Sequence, residues 1–441
     1  MSGECGVVLV GCGTVGGPVA RILTADAERL ERSVGIALPL RAVVDVDFAN
    51  ARRLGLDETL LTDDLDAAIA RPDVHVVVEL VGGTTVAKAI VEKALRAGKH
   101  VVTANKALLA THGADLWALA RANGACIAFE ASCAGAIPIV SVLTGQMAAD
   151  RIDALYGIVN GTCNYILTAM AEHDQTYADA LADAQKLGLA EADPALDVSG
   201  GDSAHKLAIL ASLAFGRRID LDKIYVEGID RLHLQDIRYG QELGYVVKLL
   251  AIARRQADGL SLRVHPAFIS RRHPLAWVSG PFNAVSVYAR RSGHTMYYGR
   301  GAGGEPTASA VVGDIAAVAL GNAARTFDAL GLWPDRAAPA DQLDVQAVRC
   351  RYYLRLQLLD SPGVLARIAR VLGDRQISIS SVLQREPTGD AEDEGVPVVI
   401  TTHPAREGDV RTALGEVSRL DVVKAASICI RMVEQHPEQV E

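Results

Sequence analysis

The chain has 441 residues, of which 50% are hydrophobic and 22% are charged, and its formal net charge is -9. This length predicts about three domains, each large enough to bury its own core. The acidic chain has no basic stripe, which argues against nucleic-acid binding, and it has neither an apolar run of roughly 20 residues nor a leader-like start, which argues against membrane attachment, so we expect a cytoplasmic protein.

A glycine-rich turn near the start of the chain predicts a dinucleotide-binding unit. The apolar residues 6–10 predict a strand, the turn follows, and apolar residues at helical spacing come next. In this order Gly11 allows a tight turn, Gly13 lets the backbone approach a pyrophosphate, and Gly16 lets helix and strand pack closely. A turn without a ligand is the alternative. The predicted cofactor-binding residues here are Gly11, Gly13, Thr14, Val15 and Gly16.

The acidic residue after the second predicted strand bears on the choice of cofactor. Residues 40–44 are strand-like, and Asp45 and Asp47 follow them. A carboxylate at this strand end accepts hydrogen bonds from ribose hydroxyls, and it repels the extra phosphate of NADP unless an arginine compensates. Asp45 therefore predicts NAD. Arg52 and Arg53 are close in sequence, however, and both aspartates can also be interpreted as solvated strand-end charges.

Strands and helices continue to alternate, which predicts a parallel, doubly wound sheet. Strand-like segments at 74–80 and 100–103 flank a helix at about 86–97. Ligands bind beyond the carboxyl ends of such strands. Thr103 and Lys106, at the end of one strand and the start of the next helix, are therefore predicted to face the cofactor. The alternative for Lys106 is a surface charge that caps the helix.

Three segments farther along the chain leave alternatives open. Residues 126–131 look like a strand and lead into a small-residue loop at 132–138, which can bind a hard cation through oxygen ligands or simply pack closely, and the sequence favours packing. Residues 160–165 predict a polar turn that opens a helix. A glycine cluster at 299–304 precedes a long small-residue helix to Leu330, and there Gly301 and Gly303 either contact phosphate or nicotinamide or form a plain turn.

Residues 190–206 are the most informative part of the chain. Asp202 is predicted in the first turn of a helix, and Lys206 lies four residues later on the same, apolar face, where a lysine needs a partner. Two interpretations compete: a structural ion pair, or a lysine aimed into a pocket as proton donor and acceptor. The tight loop lets Glu191, Asp197 and Asp202 converge on this lysine, which suits an amino-acid substrate.

Together these segments resemble the homoserine dehydrogenase family over nearly the whole chain. The resemblance implies NAD(P)-dependent hydride transfer between L-homoserine and L-aspartate 4-semialdehyde, in the biosynthesis of threonine, methionine and isoleucine. The matching motifs are Gly11-x-Gly13-x-x-Gly16, Thr103-Ala104-Asn105-Lys106, Glu130-Ala131-Ser132, Asn160-Gly161-Thr162, Glu191-x-Asp193-Pro194, Asp197-x-x-Gly200-x-Asp202-x-x-x-Lys206, and Gly299-x-Gly301-Ala302-Gly303 before Pro306-Thr307.

The resemblance also implies roles for individual residues. Lys206 would act as acid and base on the substrate oxygen, with Lys106 near the same hydroxyl. Many family members carry an arginine suited to NADP where this chain has Asp45, so the NAD prediction departs from the family. The implied substrate-binding residues are Glu191, Asp197, Asp202, Asn160, Gly161 and Thr162. The implied sodium ligands are Glu130 and the backbone carbonyls of Cys133, Gly135 and Ile137.

The C-terminal part of the chain predicts a separate module. Beyond residue 350 the pattern is strand, helix, two strands, helix and strand, with an acidic loop at 388–395, and this βαββαβ order is ferredoxin-like. The module resembles the ACT domain. Its turn at Asp360, Gly363 and Val364 leaves helix N–H groups free for an amino-acid effector, which the resemblance implies is threonine. A module that only dimerises is the alternative.

The predicted fold class is α/β, with three domains. They are a Rossmann-type nucleotide-binding domain at 1–130 completed by a returning segment at about 305–333, an α+β substrate and dimerisation domain at 131–304, and, after a linker at 334–350, a ferredoxin-like ACT domain at 351–433. We expect a homodimer or homotetramer. The rival functions are a catalytically inactive amino-acid sensor and a semialdehyde dehydrogenase with Cys163 as nucleophile, although no histidine pairs with Cys163 in a recognisable pattern.

Overall fold

The computed structural model describes residues 3–331, 334–385 and 395–433, which form two compact units. The predicted acidic loop, except for Gly395, lies outside the described residues, as do the last two residues of the predicted returning segment. The units divide the chain differently from the predicted domain limits, which stay a prediction. The first unit contains Met1–Gly161, Asp202–Leu221 and Pro281–Ala340, and the second contains Thr162–Gly201, Asp222–Gly280 and Asp341–Glu441.

The strands and helices are numbered in chain order. The strands are β1 (Val7–Val10), β2 (Leu40–Val44), β3 (Leu61–Thr62), β4 (Val76–Glu79), β5 (His100–Thr103), β6 (Ile127–Ala128), β7 (Ile152–Ile158), β8 (Tyr225–Val226), β9 (Tyr245–Gln256), β10 (Gly259–Ser270), β11 (Phe282–Ala289), β12 (Gly293–Arg300), β13 (Arg349–Leu358), β14 (Ile379–Gln384), β15 (Val396–Thr402), β16 (Ala405–Arg406) and β17 (Ile428–Val433). The helices are α1 (Gly16–Ala25), α2 (Ala27–Val34), α3 (Ala49–Arg53), α4 (Leu65–Ala70), α5 (Val86–Arg96), α6 (Lys106–Ala122), α7 (Ile139–Thr144), α8 (Gly161–His173), α9 (Tyr177–Lys186), α10 (Ala195–Val198), α11 (Gly201–Phe215), α12 (Leu234–Glu242), α13 (Gly304–Ala319), α14 (Asn322–Leu330), α15 (Val364–Asp374) and α16 (Glu407–Val417).

The first unit is built on the predicted parallel sheet. Its strand order is β3-β2-β1-β4-β5-β6, and the reversal between β1 and β4 is typical of a doubly wound fold. Val10 lies opposite both Val44 and Glu79, and Glu79 lies opposite Thr103. The four strands β2, β1, β4 and β5 therefore end at the same level, so the segments that follow them meet at one edge of the sheet.

The core of this sheet explains why its strands are almost wholly apolar. Every residue of β1 and β4 is buried, as expected for parallel strands covered on both faces. Val19 and Leu23 of α1 pack in the same core as Val311 and Ile315 of α13. A helix from late in the chain thus completes the packing of the N-terminal sheet.

One long helix was predicted where the structure has two. Gly321 adopts a φ of +73° between α13 and α14, and the two helices bend by 76°. A left-handed residue ends a helix because its carbonyl geometry cannot continue the hydrogen-bond ladder. In the described part of the chain no single helix is long and apolar enough to cross a membrane, and this bent pair meets that test only when its members are counted together.

The strand predicted at 126–131 is shorter in the structure. β6 covers only Ile127–Ala128, and a 3-10 turn at Glu130–Ser132 follows it. The Glu130 N–H donates to Asp314 Oδ2 at 2.8 Å, and Ser132 Oγ donates to the Phe129 carbonyl at 2.7 Å. These bonds replace ladder bonds, so the chain turns at Glu130 instead of extending.

The first unit also contains an antiparallel segment that the sequence did not predict. β11 pairs with β12 on one side and with β7 on the other. Phe282 lies opposite Arg300, and Ala284 lies opposite Ile158. This register brings the start of β11 next to the end of β7 and the turn after β12.

The second unit contains the C-terminal module and the long β9–β10 hairpin. The module has the strand order β17-β13-β15-β14 with α15 and α16 packed in one core, which confirms the ferredoxin-like prediction. β17 also pairs in parallel with β10. The buried Asp236 of α12 accepts hydrogen bonds from Arg355 at 2.6 Å and from the Tyr353 hydroxyl at 2.8 Å. The module is therefore joined to the rest of its unit by a continuous sheet and a buried ion pair.

Candidate active site

The glycine turn after β1 has the shape that a dinucleotide requires. Gly11 adopts a φ of +93°, and a Cβ on Gly16 would lie 1.9 Å from the Gly11 carbonyl oxygen. A Cβ on Gly13, in contrast, would meet nothing within 4 Å. Gly11 and Gly16 are thus required by the turn itself, whereas Gly13 leaves its backbone open to a ligand. A cavity of about 360 Å³ adjoins this turn and includes Gly13, Thr14 and Arg53 in its lining.

Asp45 lies directly against this turn. Its Oδ2 accepts a hydrogen bond from the Cys12 N–H at 2.6 Å, and its Oδ1 accepts from the Val46 and Asp47 N–H groups. The carboxylate is therefore held at the end of β2 and is not a freely solvated charge. Of the two nearby arginines, Arg52 pairs with Glu58, whereas Arg53 donates to Asn50 at the cavity.

A buried glutamate that the sequence interpretation missed ties the ends of β4 and β5 together. Glu79 is fully buried, and its Oε2 accepts from the Thr103 hydroxyl at 2.7 Å while its Oε1 accepts from two backbone N–H groups after β4. The Thr103 hydroxyl oxygen accepts in turn from the Asn105 N–H. An acidic residue at the end of an otherwise apolar strand was the available signal.

Asn105, and not Lys106, provides the cap of α6. The Asn105 side chain accepts from the Leu108 N–H at 3.0 Å and donates to the Gly83 carbonyl at 2.7 Å. The Lys106 side chain instead extends toward α11, where its Nζ lies 3.0 Å from Asp202 Oδ1. The interpretation of Lys106 as a helix-capping surface charge is therefore wrong.

One buried carboxylate, Asp202, holds two lysines. Lys206 Nζ donates to Asp202 Oδ2 at 2.7 Å and to the Val159 carbonyl at 2.6 Å. Asn160 Nδ2 donates to the same Asp202 oxygen at 2.9 Å. The Lys206 and Asp202 side chains are 10% and 4% exposed, whereas that of Lys106 is 33% exposed. The predicted pairing of Asp202 with Lys206 is present, and the second lysine on this carboxylate was not foreseen.

The charges around Asp202 set its protonation state. Burial alone would raise the pKa of this carboxyl, but Lys206 and Lys106 outweigh burial, and the hydrogen bonds from Lys206 and Asn160 act in the same direction. The pKa of Asp202 is therefore held well below its usual range. Asp202 therefore stays ionised near neutral pH and anchors both ammonium groups.

The predicted sodium loop is closely packed. The buried Glu130 carboxylate accepts from the Val140 and Ser141 N–H groups at 2.8 Å and from the Ser141 hydroxyl, and it thereby caps α7. Burial raises the pKa of Glu130 and, together with Glu130, the pKa of Asp314. A Cβ on Gly135 would lie 2.6 Å from the Gly301 carbonyl oxygen. Within the described ranges no group of three or more His, Cys, Asp or Glu side chains could hold a metal ion.

Of the remaining predicted substrate residues, Gly161 ends the first segment of the first unit, whereas Thr162, Glu191 and Asp197 belong to the second unit. Glu191 is exposed, and Asp197 is half-buried in α10. The Thr162 hydroxyl donates to the Leu189 carbonyl at 2.6 Å, and the buried Cys163 thiol donates to the Asp197 carbonyl at 3.2 Å. Convergence of Glu191 and Asp197 on the two lysines stays a prediction.

The ACT turn forms a small cavity of its own. Gly363 adopts a φ of +87° immediately before α15, and Asp360 Oδ1 accepts from Gln384 Nε2 at 3.3 Å. The cavity is about 170 Å³, and Asp360, Gly363 and Val364 contribute to its lining. The Val364 N–H donates to the Ser361 carbonyl at 3.3 Å, and Leu365 and Ala366, the next residues of α15, also line the cavity.

A glycine turn at the carboxyl end of a doubly wound sheet, together with two lysines on one buried carboxylate, defines a nicotinamide-dinucleotide-dependent dehydrogenase. Family models match three parts of the chain: "Homoserine dehydrogenase, NAD binding domain" over residues 11–130, "Homoserine dehydrogenase" over 138–316, and "ACT domain" over 352–419. The homoserine dehydrogenase of Pseudomonas aeruginosa is 43% identical over 439 residues, which covers 97% of this chain and 98% of the relative.

Solved structures agree with this result. The crystal structure of a homoserine dehydrogenase from Thiobacillus denitrificans is 41% identical, has a TM-score of 0.91, and covers 98% of both chains. A hyperthermophilic archaeal homoserine dehydrogenase in complex with NADPH is 26% identical, has a TM-score of 0.61, and covers 72% of this chain and 98% of its own. The chain belongs to the homoserine dehydrogenase family. The predicted fold class, oxidoreductase activity and ACT domain are confirmed.

Loss of the Asp202 charge should destabilise the fold by an amount that does not change between pH 8 and pH 5. Because the folded pKa is lowered, its contribution to the free energy of unfolding is complete above the ordinary value of 3.8 and is lost as pH falls below it. We expect Asp202→Asn to lower that free energy by about 3 kcal/mol, by the same amount from pH 8 to pH 5, in urea denaturation. Asp66→Asn, in an exposed pair with Lys93, is the control and should cost less than about 1 kcal/mol. A difference that already disappears by pH 6 would contradict the lowered pKa.

Proposed function

We propose that Lys206 is the acid-base group of this homoserine dehydrogenase and that Lys106 binds the same substrate oxygen. The proposal rests on the way in which the Lys206 ammonium uses its hydrogen-bond donors. An ammonium has three N–H donors, and in the described chain Lys206 gives two of them to Asp202 and the Val159 carbonyl. The third donor is available to the oxygen that is a hydroxyl in homoserine and a carbonyl in the semialdehyde.

The residues around Lys206 would bind and orient the amino acid. Asp202 Oδ2 accepts from both Lys206 and Asn160, whereas Oδ1 pairs with Lys106 and keeps acceptor capacity for the substrate ammonium. Glu191 and Asp197 would complete the ammonium site. The N–H groups of the Asn160-Gly161-Thr162 turn begin α8 and suit a carboxylate.

The cofactor supplies the hydride acceptor or donor when it is bound. The protein supplies the proton at the substrate oxygen: Lys206 donates it as the semialdehyde is reduced and takes it back as homoserine is oxidised. Gly11, Gly13, Thr14, Val15 and Gly16 would hold the pyrophosphate, and Thr103, Gly301 and Gly303 would line the nicotinamide side. The open backbone at Gly13 supports this assignment.

Replacement of Lys206 should remove the proton transfer and leave cofactor binding intact. We expect Lys206→Met to lower kcat by 10²- to 10⁴-fold, as is typical for loss of a general acid-base group, with NADH affinity within about 2-fold by fluorescence titration. Cys163→Ala is the matched variant for the rival nucleophile and should keep most of the activity. An inactive Cys163→Ala protein beside an active Lys206→Met protein would instead support cysteine chemistry.

We further propose that NAD is preferred over NADP. The support is the Asp45 carboxylate, which lies against the glycine turn and would repel a 2′-phosphate. Arg53 at the adjoining cavity could offset part of that repulsion. The archaeal relative was solved with NADPH, so the choice depends on the residues of this chain.

The cofactor preference can be measured directly. The wild-type enzyme should show a higher kcat/KM with NAD than with NADP, and Asp45→Ser should shift that ratio toward NADP by at least about 10-fold, because one repelling charge next to a phosphate is worth more than about 1.4 kcal/mol when partly buried. Asp47→Ser, also at this strand end, is the control and should leave the ratio nearly unchanged. A wild-type preference for NADP would contradict the proposal.

A sodium ion at the Glu130 loop remains part of the proposal in a restricted form. The Glu130 carboxylate is committed to the N–H groups of α7, so the ligands would be backbone oxygens of Glu130, Cys133, Gly135 and Ile137, which suit a hard cation. Activity in sodium compared with potassium salts tests this point.

We also propose that the enzyme is cytoplasmic and that it is a homodimer or homotetramer. Its proposed role is in the biosynthesis of threonine, methionine and isoleucine.

Threonine is proposed as the effector of the ACT domain. The turn at Asp360, Gly363 and Val364 lines a cavity at the first turn of α15, and a helix N-terminus favours an amino-acid carboxylate. We expect threonine to inhibit the enzyme, and Asp360→Ala to raise the concentration for half-inhibition by about 10-fold or more, as expected for loss of an interaction worth about 1.4 kcal/mol. Asp374→Ala, at the other end of α15, should not change it. Indifference of the wild-type enzyme to threonine would contradict the proposal.

A further inference from the structure

Asn283 lies where three segments of the first unit meet. It is the second residue of β11 and pairs with Gly299 of β12. The next residue, Ala284, pairs with Ile158, which ends β7. The Asn283 side chain is completely buried, at 0% exposure. It therefore lies inside the protein, beside the segment that leads from β7 into α8.

Neither polar atom of the Asn283 carboxamide has a hydrogen-bond partner among the residues that the structure describes. Both Nδ2 and Oδ1 are buried, so each has lost its contact with bulk solvent without a bond from the protein in return. Such a group in a native protein calls for an explanation, such as an ordered water or ion, stored strain or a role in catalysis.

Asn164 shows that this chain can satisfy a buried asparagine. It is 1% exposed, and its Nδ2 donates to the carbonyls of Val278 at 3.0 Å and Gly280 at 2.8 Å. Its Oδ1 accepts from Lys248 Nζ at 3.1 Å. The lack of hydrogen bonds at Asn283 is therefore specific to its position and is not shared by Asn164.

Two glycine segments approach the Asn283 carboxamide. A Cβ on Gly301 would lie 1.9 Å from Asn283 Nδ2, and a Cβ on Gly161 would lie 3.7 Å from Asn283 Oδ1 and 2.8 Å from the Pro281 carbonyl oxygen. At Gly301 only a residue without a side chain leaves room for the carboxamide. The Gly161 and Gly301 segments therefore both border the Asn283 carboxamide.

We infer that Asn283 is a positioning residue whose carboxamide gains hydrogen bonds when cofactor and substrate bind, and that these bonds hold the Gly161 and Gly301 backbones against the ligands. The inference rests on the proposed function, which assigns the first segment to the substrate and the second to the cofactor. Nδ2 and Oδ1 both lie beside Gly301, at 1.9 and 2.4 Å from the position that a Cβ would take, and Oδ1 lies 3.7 Å from the same position on Gly161. One carboxamide thus borders both segments and offers them a donor and an acceptor.

This arrangement has a thermodynamic consequence. The free enzyme carries the cost of an unsatisfied carboxamide, and binding relieves it, so the ligands stabilise the protein by more than their own contacts. An apolar side chain of the same shape has no polar atoms to satisfy, so it removes the desolvation cost from the free enzyme. It also cannot form the hydrogen bonds that Asn283 gains in the bound enzyme. Stability and activity then change in opposite directions, which a purely structural asparagine does not produce.

The test compares Asn283→Leu and Asn283→Ala with Asn164→Leu as the matched control. The melting temperature of the full-length protein is measured free and with NADH plus L-homoserine, a dead-end pair that does not turn over. For Asn283→Leu we expect a free-enzyme rise of about 2–4 °C, loss of at least half of the ligand-induced rise, and a kcat at least 10-fold lower. Asn283→Ala is the second variant because alanine is too small to crowd Gly301. It should show the same losses in the ligand-induced rise and in kcat. Asn164→Leu should lower the free-enzyme melting temperature.

The outcomes separate the inference from the function on which it rests. If Asn283→Leu and Asn283→Ala keep the wild-type ligand-induced rise and kcat, the inference is overturned and the proposed function stands. If Asn283→Leu lowers the free-enzyme melting temperature as Asn164→Leu does and Asn283→Ala binds both ligands normally, Asn283 is structural and the inference is again overturned. A wild-type enzyme whose melting temperature does not rise with these ligands would overturn the proposed binding segments and this inference with them.

Discussion

The carboxylate of Asp202 accepts hydrogen bonds from Lys206 and Asn160 and forms an ion pair with Lys106. It does so while 4% exposed, so the two positive charges are needed to keep it ionised, and its own charge is needed to keep the Lys206 ammonium buried. Lys106 starts α6, Asn160 follows β7, and Lys206 belongs to α11. Three elements far apart in sequence are therefore fixed to one another by a single group.

The sheet edge prepares this arrangement. Because β2, β1, β4 and β5 end at one level, the turn that Gly11 begins, the buried Glu79 and the α6 cap at Asn105 lie side by side. Glu79 binds the Thr103 hydroxyl, and Asn105 takes over the capping of α6. The lysine that follows, Lys106, does not cap its own helix, and we propose that it takes part in the reaction.

The sequence predicted those parts of the site that depend on local patterns. The glycine turn and the i, i+4 spacing of Asp202 and Lys206 each follow from one short segment, because strand ends and helix faces are set by neighbouring residues. The role of Lys106 against Asp202 could not be predicted from local pattern alone, since the partners are separated by nearly a hundred residues. The shortening of β6 was missed for the same reason: Asp314, far along the chain, captures the Glu130 N–H. β9, β10 and β11 were missed because hydrophobic alternation is weak in strands whose central residues are buried on both faces.

The account has one central claim, that the Lys206 ammonium meets the reacting oxygen of the substrate while Asp202 holds it in place. A crystal structure of the full-length enzyme with NADH and L-homoserine tests this most directly. We predict the homoserine hydroxyl oxygen at about 3 Å from Lys206 Nζ, with Lys106 near the same oxygen and the Lys206–Asp202 bond retained. A homoserine hydroxyl bound elsewhere, with both ammonium groups still turned only toward Asp202, would contradict the account.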